Sequence, residues 1–107
     1  MDAVTPPDLL RLQDKAADAA RLLRLLANEK RLLILCLLVV RGEMDVTSLT
    51  QAVDLSQSAL SQHLAKLRED GLVAFRRESQ TLYYRLEDPR AARVLFTLKD
   101  IFCPDEG

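Results

Sequence analysis

The sequence predicts a single, mainly α domain of five helices with one small β-hairpin, and three observations carry that expectation. Hydrophobic residues fill 49% and charged residues 29% of the 107 positions, with only 3 Gly, the composition of a compact, mostly helical chain. Apolar side chains recur at helical spacing in segments set off by capping residues. One segment alone, after Gly71, switches to an alternation of period two.

The elements follow in order. From Asp8 to Leu26, the residues Leu12, Ala16, Ala19, Leu23 and Leu26 form a two-heptad stripe, which suits packing on a second copy of the chain as well as packing on the core. Asn28 is placed to cap the next helix, which runs through LLILCLLVV (residues 32–40) to about Arg41 and stops before Gly42. Apolar nearly all round, it is expected to be the central buried helix. Thr47 is expected to cap a short helix from Ser48 to Val53, and Asp54-Leu55 to turn the chain toward a second capping residue, Ser56. Gln57 to Asp70 then forms a helix closed by Gly71 in the left-handed region. On a helical wheel Leu60, Leu64 and Leu67 share the buried face, while Ser58, Ser61, Gln62, Ala65 and Glu69 lie opposite.

LVAFRRE and TLYYRLE flank Ser79-Gln80 and read as the two strands of a hairpin. Tyr83 and Tyr84 alternate across it, one inward and one outward, with a structural role. From about Pro89 to Phe102 a last helix carries Ala91, Val94, Leu95, Leu98, Ile101 and Phe102 on one side, with Cys103 at its end, Pro104 beyond and an acidic tail. The organisation expected is one domain over residues 1–107. Residues 47–70 form a helix-turn-helix, 72–87 a wing, and 8–26 with 90–103 the helices of a dimer contact. No internal repeat interrupts it.

Length and composition exclude several classes. The longest apolar run is nine residues, against the roughly 20 a bilayer span requires, and the N-terminus lacks the design of a secretory signal; no membrane partner and a cytoplasmic setting are expected. Two cysteines, Cys36 and Cys103, match neither CxxC nor a zinc pattern, so no metal site and no cofactor are expected, and in a reducing compartment any bond between them is conditional. A thiol enzyme would need an activated cysteine beside a catalytic histidine or a cofactor loop, and neither accompanies these thiols.

Charge is distributed unevenly. Residues 56–86 carry 5 Lys and Arg against 3 Asp and Glu, the one block with a positive balance in a chain of net charge −1. In a helix-turn-helix the second helix enters the major groove with its N-terminal half leading. Ser56, Gln57, Ser58, Ser61, Gln62 and His63 occupy that half. Gln pairs with adenine at two points, and Ser takes either hydrogen-bonding role. Lys66, Arg68, Arg76 and Arg77 are the candidate phosphate contacts. A Ser/Gln-rich face on its own is equally a solvated one. The order of short helix, turn, polar-faced helix, glycine stop and basic hairpin is what points to double-stranded DNA. His63 lies beside the buried centre of its helix, where packing and a base or phosphate contact compete evenly. A helical adaptor using the heptad stripe would leave the basic hairpin without a purpose.

LLANEKRLLILCLL, LSQSALSQHLAKLREDGLV and RRESQTLYYRL, taken together, resemble the winged helix-turn-helix repressors of the arsenic-repressor (ArsR) family over about residues 16–103. Cysteines placed like Cys36 and Cys103 resemble that family's persulfide-sensing branch. The resemblance implies a homodimer that binds an inverted-repeat operator and represses until reactive sulfur species arrive as inducer. Metal-sensing branches place a Cys-x-Cys pair in the helix before the reading helix, or Asp and His in the last helix. The corresponding stretches here, SLTQAVD and RAARVLFTLKDIF, hold no cysteine or histidine. A repressor answering peroxide or metal is the alternative within the class.

A lone buried cysteine is most often an inert small hydrophobe. In the fold this resemblance implies, the last helix packs near the second, so Cys36 and Cys103 are expected to face each other within one protomer, with Cys36 in the core. A direct disulfide needs Cα atoms about 4.4 to 6.8 Å apart, and a bridge containing extra sulfur spans a wider gap.

Overall fold

The computed structural model describes residues 6–104; the outer parts of the single-domain reading, residues 1–5 and the acidic tail at 105–107, lie outside the described residues. Helices α1 (Pro6–Leu26) and α2 (Glu29–Arg41) are followed by strand β1 (Glu43–Asp45). Next come α3 (Val46–Ala52), α4 (Gln57–Glu69), the hairpin β2 (Val73–Glu78) and β3 (Thr81–Leu86), and α5 (Pro89–Phe102). The five helices and the hairpin are those the sequence predicts. The sheet has a third strand, in the order β1-β3-β2, all antiparallel.

Local chemistry sets the boundaries. Asn28 accepts the Arg31 backbone N–H at 3.1 Å and Ser56 Oγ accepts that of Ala59 at 3.1 Å, so α2 and α4 begin at their expected caps. Gly71, at φ +79°, donates to the Arg68 carbonyl at 3.0 Å, and Leu72 donates to that of Leu67 at 2.9 Å. That pair of bonds is a Schellman ending, and the left-handed position it needs is why the stop is glycine. Ser79, the first residue of the two-residue hairpin loop, also has positive φ, at 57°, as a turn matched to the strand twist requires.

One expected cap is corrected. Helix α3 starts at Val46, capped at Asp45, whose carboxylate accepts a hydrogen bond from the Ser48 hydroxyl; Thr47 lies inside the helix. The shift follows from β1, in which Glu43 pairs with Arg85, Met44 with Tyr84 and Asp45 with Tyr83. Once Asp45 is held in the sheet, the first residue free to turn is Val46.

The core gathers Ile34, Leu35 and Leu38 of α2, Leu49 of α3, Leu60, Leu64 and Leu67 of α4, and Leu95 of α5, all essentially without solvent contact. Three apolar expectations are corrected in the single chain. Of the α1 stripe only Leu26 is buried, joined by Leu22, while Leu12 and Leu23 are more than half exposed. Helix α2 is central on one side only, since Leu33 and Val40 face outward. The last turn of α5 is uncovered, with Ile101 at 62% and Phe102 at 75% exposure. The common cause is geometric: one 107-residue chain has too few layers to cover both faces of α1, α2 and α5.

Helix α5 opens on a cap the sequence reading passed over. Asp88 accepts the backbone N–H groups of Arg90 at 2.8 Å and Ala91 at 3.4 Å. Hydrogen bonding from the Arg90 side chain, reinforced by those N–H groups, holds the Asp88 carboxyl below the usual carboxylate range. Its folded pKa is depressed, so its stabilisation is present above the unfolded value near ~3.9 and is lost as pH falls through the lower folded value. Asp88→Ala is expected to cost about 1 kcal/mol at neutral pH. Urea denaturation of parent and variant should show that difference shrinking once the pH drops below the unfolded value.

Candidate DNA-reading face and thiol cavity

The N-terminal half of α4 presents its polar side chains as a set. Gln57, Ser58, Ser61 and Gln62 are exposed, His63 is half-buried at the margin, and Leu60, Leu64 and Leu67 anchor the opposite face in the core. Ser56 is committed to capping, its Oγ also lying 3.4 Å from Ser58 Oγ, so it holds the reading helix in place while Gln57, Ser58, Ser61 and Gln62 face outward. A polar groove of about 370 Å³ joins Gln57 and Ser61 to Thr47 of α3 and to Gln80 and Thr81 at the hairpin turn. Thr47, Gln80 and Thr81 went unassigned in the sequence as groove residues, because only the fold brings three separate segments to the mouth of α4.

The cations behave differently from one another. Lys66 pairs with Asp70 at 3.6 Å, one turn on, a contact readily exchanged for another anion. The Arg68 guanidinium stacks 4.7 Å from the centre of the Phe75 ring, fastening α4 to the wing.

Arg76 is occupied within the chain. Its Nε lies 3.1 and 3.0 Å from the two Glu43 carboxylate oxygens, its Nη2 2.9 Å from Glu43 Oε1, and its Nη1 2.8 Å from Glu78 Oε2. The guanidinium also stacks 4.5 Å from the Tyr83 ring centre. The hydrogen bond from Arg76 holds the Glu43 carboxyl below its ordinary range, and the two carboxylates raise Arg76 above its own. Arg77 alternates to the other side of β2, opposite Leu82 and on the side where Phe75 meets Arg68. It is exposed and makes no ion pair among the described residues. The two arginines the sequence treated alike therefore have different environments.

Cys36 and Cys103 line one cavity of about 450 Å³ between α2 and α5. Its walls are Leu32, Leu33, Leu37 and Val40 from α2 with Leu98 and Phe102 from α5, and Arg41 and Lys99 supply its positive charge. Cys36 is half-buried and Cys103 exposed, and both are free thiols. Cys36 therefore stands at the edge of the core, in the wall of an opening, which corrects its expected seat inside. Burial first, and then the charge of Cys103, pushes the Cys36 thiol up from its ordinary range. Among the described residues no three His, Cys, Asp or Glu side chains gather in a way that would hold a metal ion, and no helix is long and apolar enough to cross a membrane.

Comparison with known proteins places this geometry in company. The model of the family described as "Bacterial regulatory protein, arsR family" matches residues 28–74, from the α2 cap into β2. The transcriptional activator HlyU of Vibrio cholerae is 44% identical over 98 residues, which cover 92% of this chain and 90% of that one. The solved transcriptional regulator HlyU of Vibrio vulnificus superposes with a TM-score of 0.85 at 45% identity, covering 90% of this chain and 99% of that chain. The solved transcriptional repressor BigR of Xylella fastidiosa superposes with a TM-score of 0.80 at 38% identity, covering 89% and 96%.

Proposed function

This chain belongs to the arsR family of bacterial regulatory proteins and is a DNA-binding regulator of transcription, and from that premise we propose that it is a homodimeric repressor released from its operator when sulfur links Cys36 to Cys103. Its relatives are regulators rather than enzymes. The observation that carries the proposal is the shared cavity: two thiols from helices distant in sequence open into the same apolar space. A protein whose cysteines were only small hydrophobes would have no reason to expose one of them opposite the other.

The reading face is the exposed set on α4, with Gln57, Ser58, Ser61 and Gln62 at base edges and Lys66 and Arg77 on phosphates. The uncovered apolar residues of α1 and α5 supply the dimer contact, which sets the spacing of the two reading helices on an inverted repeat. A sulfur bridge between α2 and α5 acts on that spacing only through a difference in energy between the DNA-competent and incompetent arrangements. The relative named as an activator favours a second reading, in which the same binding raises transcription; in-vitro transcription from a template carrying the site decides the sign.

The test treats reduced protein separately with an alkyl hydropersulfide, with hydrogen peroxide and with Zn²⁺. Intact mass is then read beside affinity for an inverted-repeat duplex selected from a random pool. The expected result is that the persulfide inserts sulfur between the thiols and weakens the complex, while peroxide and zinc leave binding intact. Insertion of sulfur without loss of affinity would sink the mechanism, and release by peroxide or zinc alone would move the inducer to the alternative class.

The wing yields a separate expectation. Arg77→Ala should flatten the dependence of log affinity on log salt by roughly one phosphate contact, about 0.9 in slope. Arg76→Ala should change that slope less, because its charge is already answered by Glu43 and Glu78. Titrations at four or five salt concentrations compare the two; a larger change for Arg76 reverses the assignment.

A further inference from the structure

We propose that the cavity between α2 and α5 chooses its inducer by shape and charge, admitting organic hydropersulfides with an apolar body and an anionic head and disfavouring inorganic or cationic sulfur donors. The inference rests on the sulfur-linking reading above and adds to it the chemical class of the donor.

Size is the first argument. At about 450 Å³ the space falls within the range of small-molecule sites. A hydrosulfide-sized reagent, comparable to a water at roughly 30 Å³, would need almost none of it. The lining is the second: Leu33, Leu37, Val40, Leu98 and Phe102 offer an apolar body a seat beside the Cys36 thiol. Each methylene buried there is expected to raise occupancy about fourfold. Charge is the third. Arg41 and Lys99 both line the space and no carboxylate does, so a head group bearing a carboxylate is matched and an ammonium is opposed.

Residence matters because of where the thiols stand. Cys36, half-buried and pushed up from its ordinary range by that burial, is a poor nucleophile toward reagents that only collide with it. A donor that dwells beside it gives the thiolate time to form. The Cys36 thiolate then attacks the outer sulfur of R–S–SH; the donor's S–S bond breaks, R–S⁻ leaves and takes up the proton Cys36 released, and Cys36 becomes Cys36–S–SH. The same transfer converts Cys103. The terminal sulfur of the Cys103 persulfide next attacks Cys36 Sγ, expelling HS⁻. Three sulfurs join the helices, and two hydropersulfides have been consumed to give two thiols and one H₂S. The donor's sulfane sulfur is the oxidant throughout.

The experiment follows crosslinking of the reduced full-length protein by intact mass with a homologous series of ω-carboxyalkyl hydropersulfides, the matching ω-ammonioalkyl series, and inorganic polysulfide. Rates should climb up to about fourfold per methylene until the body fills the space, with carboxylates ahead of ammonium donors of equal length and inorganic polysulfide slowest. Arg41→Glu, at an exposed position, should reverse the order of the two head groups, and Val40→Ser, also exposed, should flatten the climb. Operator binding by each reduced variant confirms that it is folded. Rates independent of chain length and head group overturn the selection while leaving the sulfur bridge standing. A head-group order unchanged in Arg41→Glu overturns the charge assignment. No crosslink with any donor overturns the underlying reading as well.

Discussion

Protein carrying Cys36→Ser is expected to bind its operator as the parent does and to lose its response to hydropersulfide altogether, and Cys103→Ser is expected to do the same. Coupling between an effector event and a distant site typically lies between 1 and 3 kcal/mol, about 5- to 150-fold in affinity, so the parent should weaken by a factor in that range and each variant by none. Both residues sit outside the buried set, and exchange of a thiol for a hydroxyl leaves the cavity wall nearly unchanged in volume. Reciprocity supplies an independent check: bound operator must slow crosslinking if crosslinking weakens the operator. A single-cysteine variant that still releases DNA on treatment would show that the second sulfur is dispensable.

The largest stability effect is expected in the reading helix. Leu64→Ala removes a side chain with 1% exposure between α4 and the rest of the core, and substitutions of that kind cost about 2 to 5 kcal/mol. Against a total of roughly 5 to 15 kcal/mol for a domain of ordinary stability, this brings the protein near its threshold, and operator binding should fail well below the parent's melting temperature. Leu12→Ala makes the contrast. At 60% exposure in the single chain, it should leave the monomer's core alone and raise the dissociation constant of the dimer. Urea denaturation at several protein concentrations separates the two, since only a dimer contribution depends on concentration. Equal losses from both substitutions would place α1 on the core after all.

What the sequence made legible was whatever depends on near neighbours. The spacing of Leu60, Leu64 and Leu67, the caps at Asn28 and Ser56 and the glycine stop at 71 are local, and all appear where expected. Strand β1 was not legible because Glu43, Met44 and Asp45 are too few to show a period; they become a strand only by pairing with residues 83–85. The same distance hid the state of Arg76, whose partner Glu43 lies 33 positions away. Composition also overstated burial. An apolar run promises a face that prefers to leave water, and in LLILCLLVV it leaves open whether the cover comes from the same chain or a second one. For the candidate site, the polar residues of α4 and the pair of thiols could be named from residue type and order. The groove joining Thr47, Gln80 and Thr81 to α4 belongs to tertiary structure and had no signal of its own.

The short strand after α2 has a mechanical consequence. Gly42, at φ +84°, is the single residue between the helix that carries Cys36 and the strand whose Glu43 grips Arg76. The wing is thus geared to the end of α2 through a three-residue coupling, with one glycine as the joint. Any torque on α2 strong enough to turn its last residue has to be absorbed by that joint or delivered to the hairpin.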